Sequence, residues 1–319
     1  MTSDGSLPPG THPGPVHLEV ADLARSLAWY GRVLGLDRLD GLDRLDRRDR
    51  LDRLDRLDRL DRLDRLDRLD HLDRREHPAE AVLGVEADST PLVRLREHPG
   101  AAPVPPRGRL GLFHFAILLP ERAQLGRLVR HLGEIGERFG SSDHLVSEAL
   151  YLQDPDGLGV EVYADRPRDR WRFRGDELVM ATEPLDLDDL VQAGAGDPWR
   201  SIPAGTVMGH IHLHVGDLER AESFYHEGLG FDRTVWSYPG ALFLSAGGYH
   251  HHLGVNTWAR GAPAAKEGEA RLIEWELRVP DADAAAGALD RLKRGGHEVS
   301  DVGTVADPWG TRVRIRVGE

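Results

Sequence analysis

"PVHLEVADLARSLAWYGRVLGLD" (residues 15–37) and "HIHLHVGDLERAESFYHEGLGFD" (residues 210–232) align without a gap, and ten of their 23 positions are identical. Each begins with alternating residues, as a half-buried strand does. An aspartate suited to capping a helix follows, then an amphipathic run that stops at Leu-Gly. A strand, a helix and a glycine stop are therefore written twice in distant parts of the chain.

A weaker pair lies between and beyond them. "LFHFAILLPERAQLGRLVRHLGEIG" (112–136) matches "LIEWELRVPDADAAAGALDRLKRGG" (272–296), again as strand then helix. Both continue into an Asp-Pro-x-Gly hairpin, "YLQDPDGLGVEVY" (151–163) and "TVADPWGTRVRIR" (304–316). The chain thus reads as four modules, expected at 8–106, 107–165, 207–260 and 270–318, with 166–206 as a surface connection. At 319 residues there is enough chain for two cores.

Residues 37–75 interrupt module one with Leu-Asp-Arg triplets. A leucine every third residue advances about 300° per step on an α-helix, so the leucines wind round the axis and build no apolar face. Each aspartate has an arginine four residues later, which favours a solvated helix, and a loop is equally compatible. We read the tract as repeat expansion in a tolerant loop.

Composition narrows the function. The balance of 41 basic against 54 acidic residues, a net charge of -13, repels phosphate backbones and anionic lipid, and no basic patch offsets it. Neither nucleic acid nor a membrane is an expected partner. The first residues, "MTSDGSLPPGTHPG", lack the apolar core of a secretory signal, and no run approaches a membrane span, so a soluble cytoplasmic protein is expected. With no cysteine and 16 histidines, any metal must be held by imidazole and carboxylate.

The polar candidates concentrate in modules two and three. His144, Tyr151 and Glu161 surround the Asp154-Pro155-Asp156-Gly157 turn, whereas module four has Thr304 and Arg314 in place of Tyr151 and Glu161 and keeps the turn. The scaffold therefore does not require those side chains, although a core tyrosine and an exposed glutamate would be the plainer reading. Glu161 stands between Val160 and Val162, which alternation turns the other way, so its carboxylate needs either solvent or a cation. His114 sits in the apolar run "LFHFAILLP" where module four has Glu274. His210, at the place of Pro15, shares a strand face with His212 and His214, and His250, His251 and His252 open a later strand.

These blocks resemble the extradiol ring-cleaving dioxygenases of the vicinal oxygen chelate superfamily, the catechol 2,3-dioxygenase-like branch in particular. That family's hairpin signature is met by His144, Leu150, Tyr151, Asp154, Pro155, Gly157 and Glu161, with Ser142 as a small departure. The resemblance covers nearly all of the chain outside the triplet tract. It implies an α+β fold of four βαβββ modules forming two cup-shaped mixed sheets. By motif it implies His114, His210 and Glu161 as ligands of Fe(II), or of Mn(II), with His144 and Tyr151 beside them. One of His250, His251 and His252, His251 in this reading, would be the acid/base.

The implied reactants are O2 and a small aromatic diol of catechol or hydroquinone type, and Trp258, Phe115 and Tyr249 could line an aromatic pocket, although core packing is the more ordinary role of each. A homo-oligomer is compatible with the sequence. Two rival readings share the superfamily: a glyoxalase-type metal isomerase or lyase, which commonly has a second carboxylate ligand, and a metal-free binding protein of the bleomycin-resistance kind. Because the ligands fall in modules two and three, those two are expected to pair into the metal-bearing cup and modules one and four into a second one. If His114 and His210 were far apart, His17 would be the substitute ligand.

Overall fold

The aspartate that follows the first strand of each repeat does cap a helix. In the computed structural model, which describes residues 5–40 and 79–318, β1 (His12–Val20) leads through Asp22 into α1 (Leu23–Trp29). The Asp22 carboxylate accepts from the Arg25 amide at 2.9 Å, satisfying one of the amides that a helix start leaves free. The helix then widens into a π-helical turn, Tyr30–Leu34, and stops where Gly35 takes a left-handed φ of 69°. Strands β2 (Asp37–Arg38), β3 (Glu80–Val85) and β4 (Thr90–Glu97) complete module one. The expected low-complexity insertion of 37–75 lies, from residue 41 onward, outside the described residues.

Module two has β5 (Gly111–Leu118), α2 (Arg122–Ile135), β6 (Gly140–Asp143), β7 (Ser147–Gln153) and β8 (Gly159–Asp165). The connection carries a small hairpin, β9 (Phe173–Arg174) and β10 (Glu177–Leu178), and a short helix α3 (Leu187–Ala193). Module three repeats module one, with β11 (Val207–His214), α4 (Leu218–Glu222) capped by Asp217, and a π-helical turn at Ser223–Gly228. Its later strands are β12 (Asp232–Val235), β13 (Ala241–Ser245) and β14 (Leu253–Asn256). Module four ends the chain with β15 (Arg271–Val279), α5 (Ala282–Arg294), β16 (Thr304–Ala306) and β17 (Arg312–Val317).

Two curled mixed sheets result, and each is built from two modules. The seven-stranded sheet runs β16-β17-β15-β1-β4-β3-β2 and the eight-stranded one β12-β13-β14-β11-β5-β8-β7-β6. At both centres the first strands pair antiparallel, β1 with β15 and β11 with β5. The partner on the other side of each is parallel: β4, β17, β14 and β8. Modules two and three therefore share one cup and modules one and four the other, as their polar residues imply. Alternation sorts the faces, because Phe115, Ile117, Val160 and Val162 enter a continuous apolar core while His114 and Glu161 point to the other side.

The tyrosine that the long repeats have in common ties the cups to the hairpins. Asp154 of the module-two turn accepts through Oδ1 from the amides of Asp156 and Leu158, both at 2.9 Å, and its Oδ2 accepts from Tyr30 Oη at 3.3 Å. Asp307 of module four does the same with Trp309, Thr311 and Tyr225. Gly157 and Gly310 complete the two turns at φ of 83° and 89°, which a side chain would strain. Asp156, just before Gly157 in the module-two turn, reaches back to pair with Arg25 and to accept from the Ala21 amide of module one.

Burial raises Asp154 from its ordinary value to about 7, since the backbone and tyrosine donors only partly offset desolvation. A raised carboxyl stabilises the fold fully below the unfolded value near 3.8, and that contribution is lost as pH rises through about 7. Asp154→Asn keeps an acceptor for both amides and removes the titration. Urea unfolding at pH 5 and pH 8 should show the variant gaining about 2–3 kcal/mol on the wild type between the two. An unchanged difference would show that Asp154 is ionised throughout.

Candidate metal centre

The register of three strands brings the predicted ligands together. Glu161 on β8 lies opposite Ala116 on β5, and Ala116 lies opposite His210 on β11. The small methyl between them lets the carboxylate and the imidazole meet above it. His114, two residues before Ala116, faces His212 across the sheet and shares the same side. Glu161 Oε2 is 2.9 Å from His114 Nε2 and 3.3 Å from His210 Nε2, and the ligand atoms of all three residues lie within 4.8 Å of one another.

These contacts suit a cation better than a proton. Ligand atoms about 2.0–2.2 Å from a metal in octahedral positions are separated by roughly 3 Å along each edge, close to both distances to the carboxylate. His114 Nε2 stands near Glu161, yet it is not aligned as a hydrogen-bond donor and has no other partner. Burial lowers His210 to about 4, which Glu161 only partly opposes, and holds His212 well below its usual value, so these imidazoles are neutral. Burial by itself would raise Glu161, and only positive charge beside it, at His210 and His114, draws it well below the carboxylate range. With His210 neutral, the positive charge that an ionised, buried Glu161 needs is missing, and a divalent cation would supply it.

All six sequence-selected site residues, His114, Glu161, His210, His144, Tyr151 and His251, border one cavity of about 390 Å³. His144 Nδ1 is 2.7 Å from the Ala181 carbonyl and must donate to it, so in the neutral ring Nε2 accepts from Tyr151 Oη at 2.5 Å. In that arrangement Tyr151 spends its O–H on His144 and turns a lone pair to the cavity. Burial, with Glu161 adding to it, keeps the Tyr151 phenol protonated well above its usual range.

The aromatic expectations hold for one residue of three. Trp258 borders the cavity, but Phe115 is in the core and Tyr249 is buried against Tyr163 and Asp165. Phe115 is next to His114 and so points to the opposite side. Phe113 lines the cavity instead, because a bulge at that position turns two successive side chains of β5 to the same face. His17 is on β1, opposite Glu274 in the other cup, and takes no part. Met180 and Thr182 of the connection also border the cavity, and no sequence signal marked them.

Two paired-module sheets, one of them enclosing a cavity over a buried His-Glu-His set, define a double-cup α+β protein equipped for a metal. The chain belongs to the Glyoxalase/Bleomycin resistance protein/Dioxygenase superfamily, whose family model matches residues 13–162 and 207–315. A catechol-2,3-dioxygenase of Bacillus subtilis (strain 168) is 45% identical over 214 residues, covering 66% of this chain and 75% of that protein. A solved protein from Bacillus subtilis subsp. subtilis str. 168, described as a candidate dioxygenase, superposes with a TM-score of 0.57 at 13% identity, over 95% of this chain and 84% of that one. A glyoxalase I mutant from Zea mays gives 0.50 at 18% identity, over 96% and 94%. At such identities the structural likeness shows the fold alone.

One glycine is required where the ligand strand enters the site. A Cβ on Gly209, beside His210, would stand 1.9 Å from Tyr163 Oη. Gly209→Ala must therefore push Tyr163 or β11 aside, and it should cost about 1–3 kcal/mol of stability in a denaturant titration. A variant as stable as the wild type would show that the tyrosine moves freely.

Proposed function

We propose that this protein is an extradiol ring-cleaving dioxygenase that uses Fe(II), or Mn(II) in its place, to insert both atoms of O2 into a catechol-type or hydroquinone-type diol. The convergence of His114, Glu161 and His210 on one buried point carries the reading, and the catechol-2,3-dioxygenase relative supports it. Two imidazoles and one carboxylate on one face are the ligand set suited to non-haem Fe(II) oxygenases. A ferrous ion held there would supply Lewis acidity to the diol oxygens and open positions for dioxygen.

The chain's own groups do the rest. Phe113, Phe243 and Trp258 offer flat apolar walls against which an aromatic ring can lie, in a cavity of the size that takes a small ligand. His251 reaches the cavity beside His210, their rings 4.1 Å apart, and in this reading takes a diol proton and returns it later. Tyr151 and His144 together hold or release one proton next to Glu161, on the opposite flank. Burial of His114, Glu161, His210 and His251 keeps bulk water from competing.

The glyoxalase-type alternative calls for a second carboxylate. The last strand of module three, "LGVN", matches "LGVE" of module two, which puts Asn256 at the place of Glu161. Its amide is engaged by His212 at 2.9 Å and by His214 at 2.7 Å, so this position offers no anionic ligand. The one candidate metal group among the described residues includes a single carboxylate.

Anaerobic reconstitution with Fe(II), then oxygen electrode traces and ultraviolet-visible spectra with a panel of diols, tests the proposal. Wild type should consume one O2 per diol and yield a yellow ring-opened product. Glu161→Gln should retain the fold by circular dichroism, bind iron at least about 100-fold more weakly and lose turnover. Full activity of that variant, or an active wild type that holds no metal, would refute the assignment.

A further inference from the structure

Behind the cavity wall, His251 is joined to the surface by polar groups that the reaction described above leaves unused. His251 Nδ1 is 2.7 Å from His250 Nδ1, and His250 Nε2 is 2.9 Å from Asp165 Oδ1. His250 is fully buried, whereas 28% of the Asp165 side chain is exposed. The same carboxylate oxygen accepts from Tyr249 Oη at 3.1 Å, and Tyr249 in turn accepts from Tyr163 Oη at 2.7 Å.

The direction of each bond follows from what each group can give. A carboxylate only accepts, so His250 must donate from Nε2. In the neutral ring His250 then has a bare Nδ1, which accepts from His251. His251 therefore carries its proton on Nδ1 and leaves Nε2 with a free lone pair. We propose that Asp165, acting through His250, sets which nitrogen of His251 is protonated, so that the imidazole at the cavity is presented as a base. Asp165 and His250 are positioning residues, and only their link to diol deprotonation rests on the dioxygenase reading.

Nothing in the chain's metal ligands fixes this order. If the carboxylate were absent, His250 Nε2 would lose its acceptor, and His250 could equally hold its proton on Nδ1 and force His251 into the opposite tautomer. The base would then face the cavity with an N–H and no lone pair. A partial loss of the competent tautomer lowers turnover without touching the ligands that retain iron.

Long-range 1H–15N spectra of the full chain labelled with 15N-histidine, metal-free, test the tautomer directly, with His251→Gln assigning the signal. We expect wild type to show His251 protonated at Nδ1 and His250 at Nε2, and Asp165→Ala to show the Nε2-protonated form of His251 as well. After iron loading, Asp165→Ala should have kcat lowered at least about tenfold, with iron content and KM unchanged. An Nε2-protonated His251 in wild type overturns the proposal even if the variant does not fold, as does an Asp165→Ala protein with wild-type tautomer or kcat. If loaded wild type oxidises no diol, the dioxygenase reading fails, and the spectra still decide the tautomer.

Discussion

A buried carboxylate with no cation of its own is the constraint around which this cup is arranged. Glu161 is buried between Val160 and Val162, and its nearest polar neighbours are the imidazoles of His114 and His210, the second of which burial keeps neutral. Leaving an ion in that setting costs far more than one hydrogen bond returns. The strand register, the methyl of Ala116 and the absent side chain of Gly209 all place donors where they can share one positive charge.

The second cup shows what the same scaffold does when the charge is covalently supplied. At the positions of His114, Glu161 and Tyr151 it has Glu274, Arg314 and Thr304. Arg314 Nε is 2.8 Å from Glu274 Oε1, and Thr304 Oγ1 donates to the other oxygen of Glu274 at 3.1 Å. A guanidinium thus neutralises the carboxylate from within the sheet, and no room for an outside cation is needed. Module four keeps its turn tied to module three through the Tyr225 to Asp307 contact, although it has none of the candidate ligands. Ligands and architecture are separable in this chain because the turn and helix contacts that join modules lie away from the concave faces.

That separation also explains what could be read from residues alone. The repeats, the aspartate caps and the Asp-Pro-x-Gly turns are local patterns whose physics is complete within a few residues, so they predict elements well. The pairing of module two with module three was legible because functional side chains had to meet. The π-helical turns were not, since the Leu-Gly stop fits an ordinary helix end equally well. The contribution of the connection was hidden for another reason: the Ala181 carbonyl acts on His144 through backbone, and any residue type would supply it. Phe115 takes the core role that alternation from His114 gives it, and Phe113 reaches the cavity only through a bulge that no sequence rule marks.

The distribution of donors across the two flanks of the cup gives the chemistry a direction. On one side His144 is committed through Nδ1 to the Ala181 carbonyl and through Nε2 to Tyr151 Oη, so the phenol spends its O–H there and turns a lone pair to the cavity. On the other side His251 faces the cavity with its backing nitrogen committed to His250. Each flank has one group left for the ligand, and the carboxylate lies between them. A ligand bound over Glu161 would therefore meet acceptors on both sides before it meets a donor. Such an arrangement suits a ligand that arrives with its O–H groups intact, and it sets an acceptor able to take a proton against each of them by fixed hydrogen-bond direction inside the protein, without reorganising solvent.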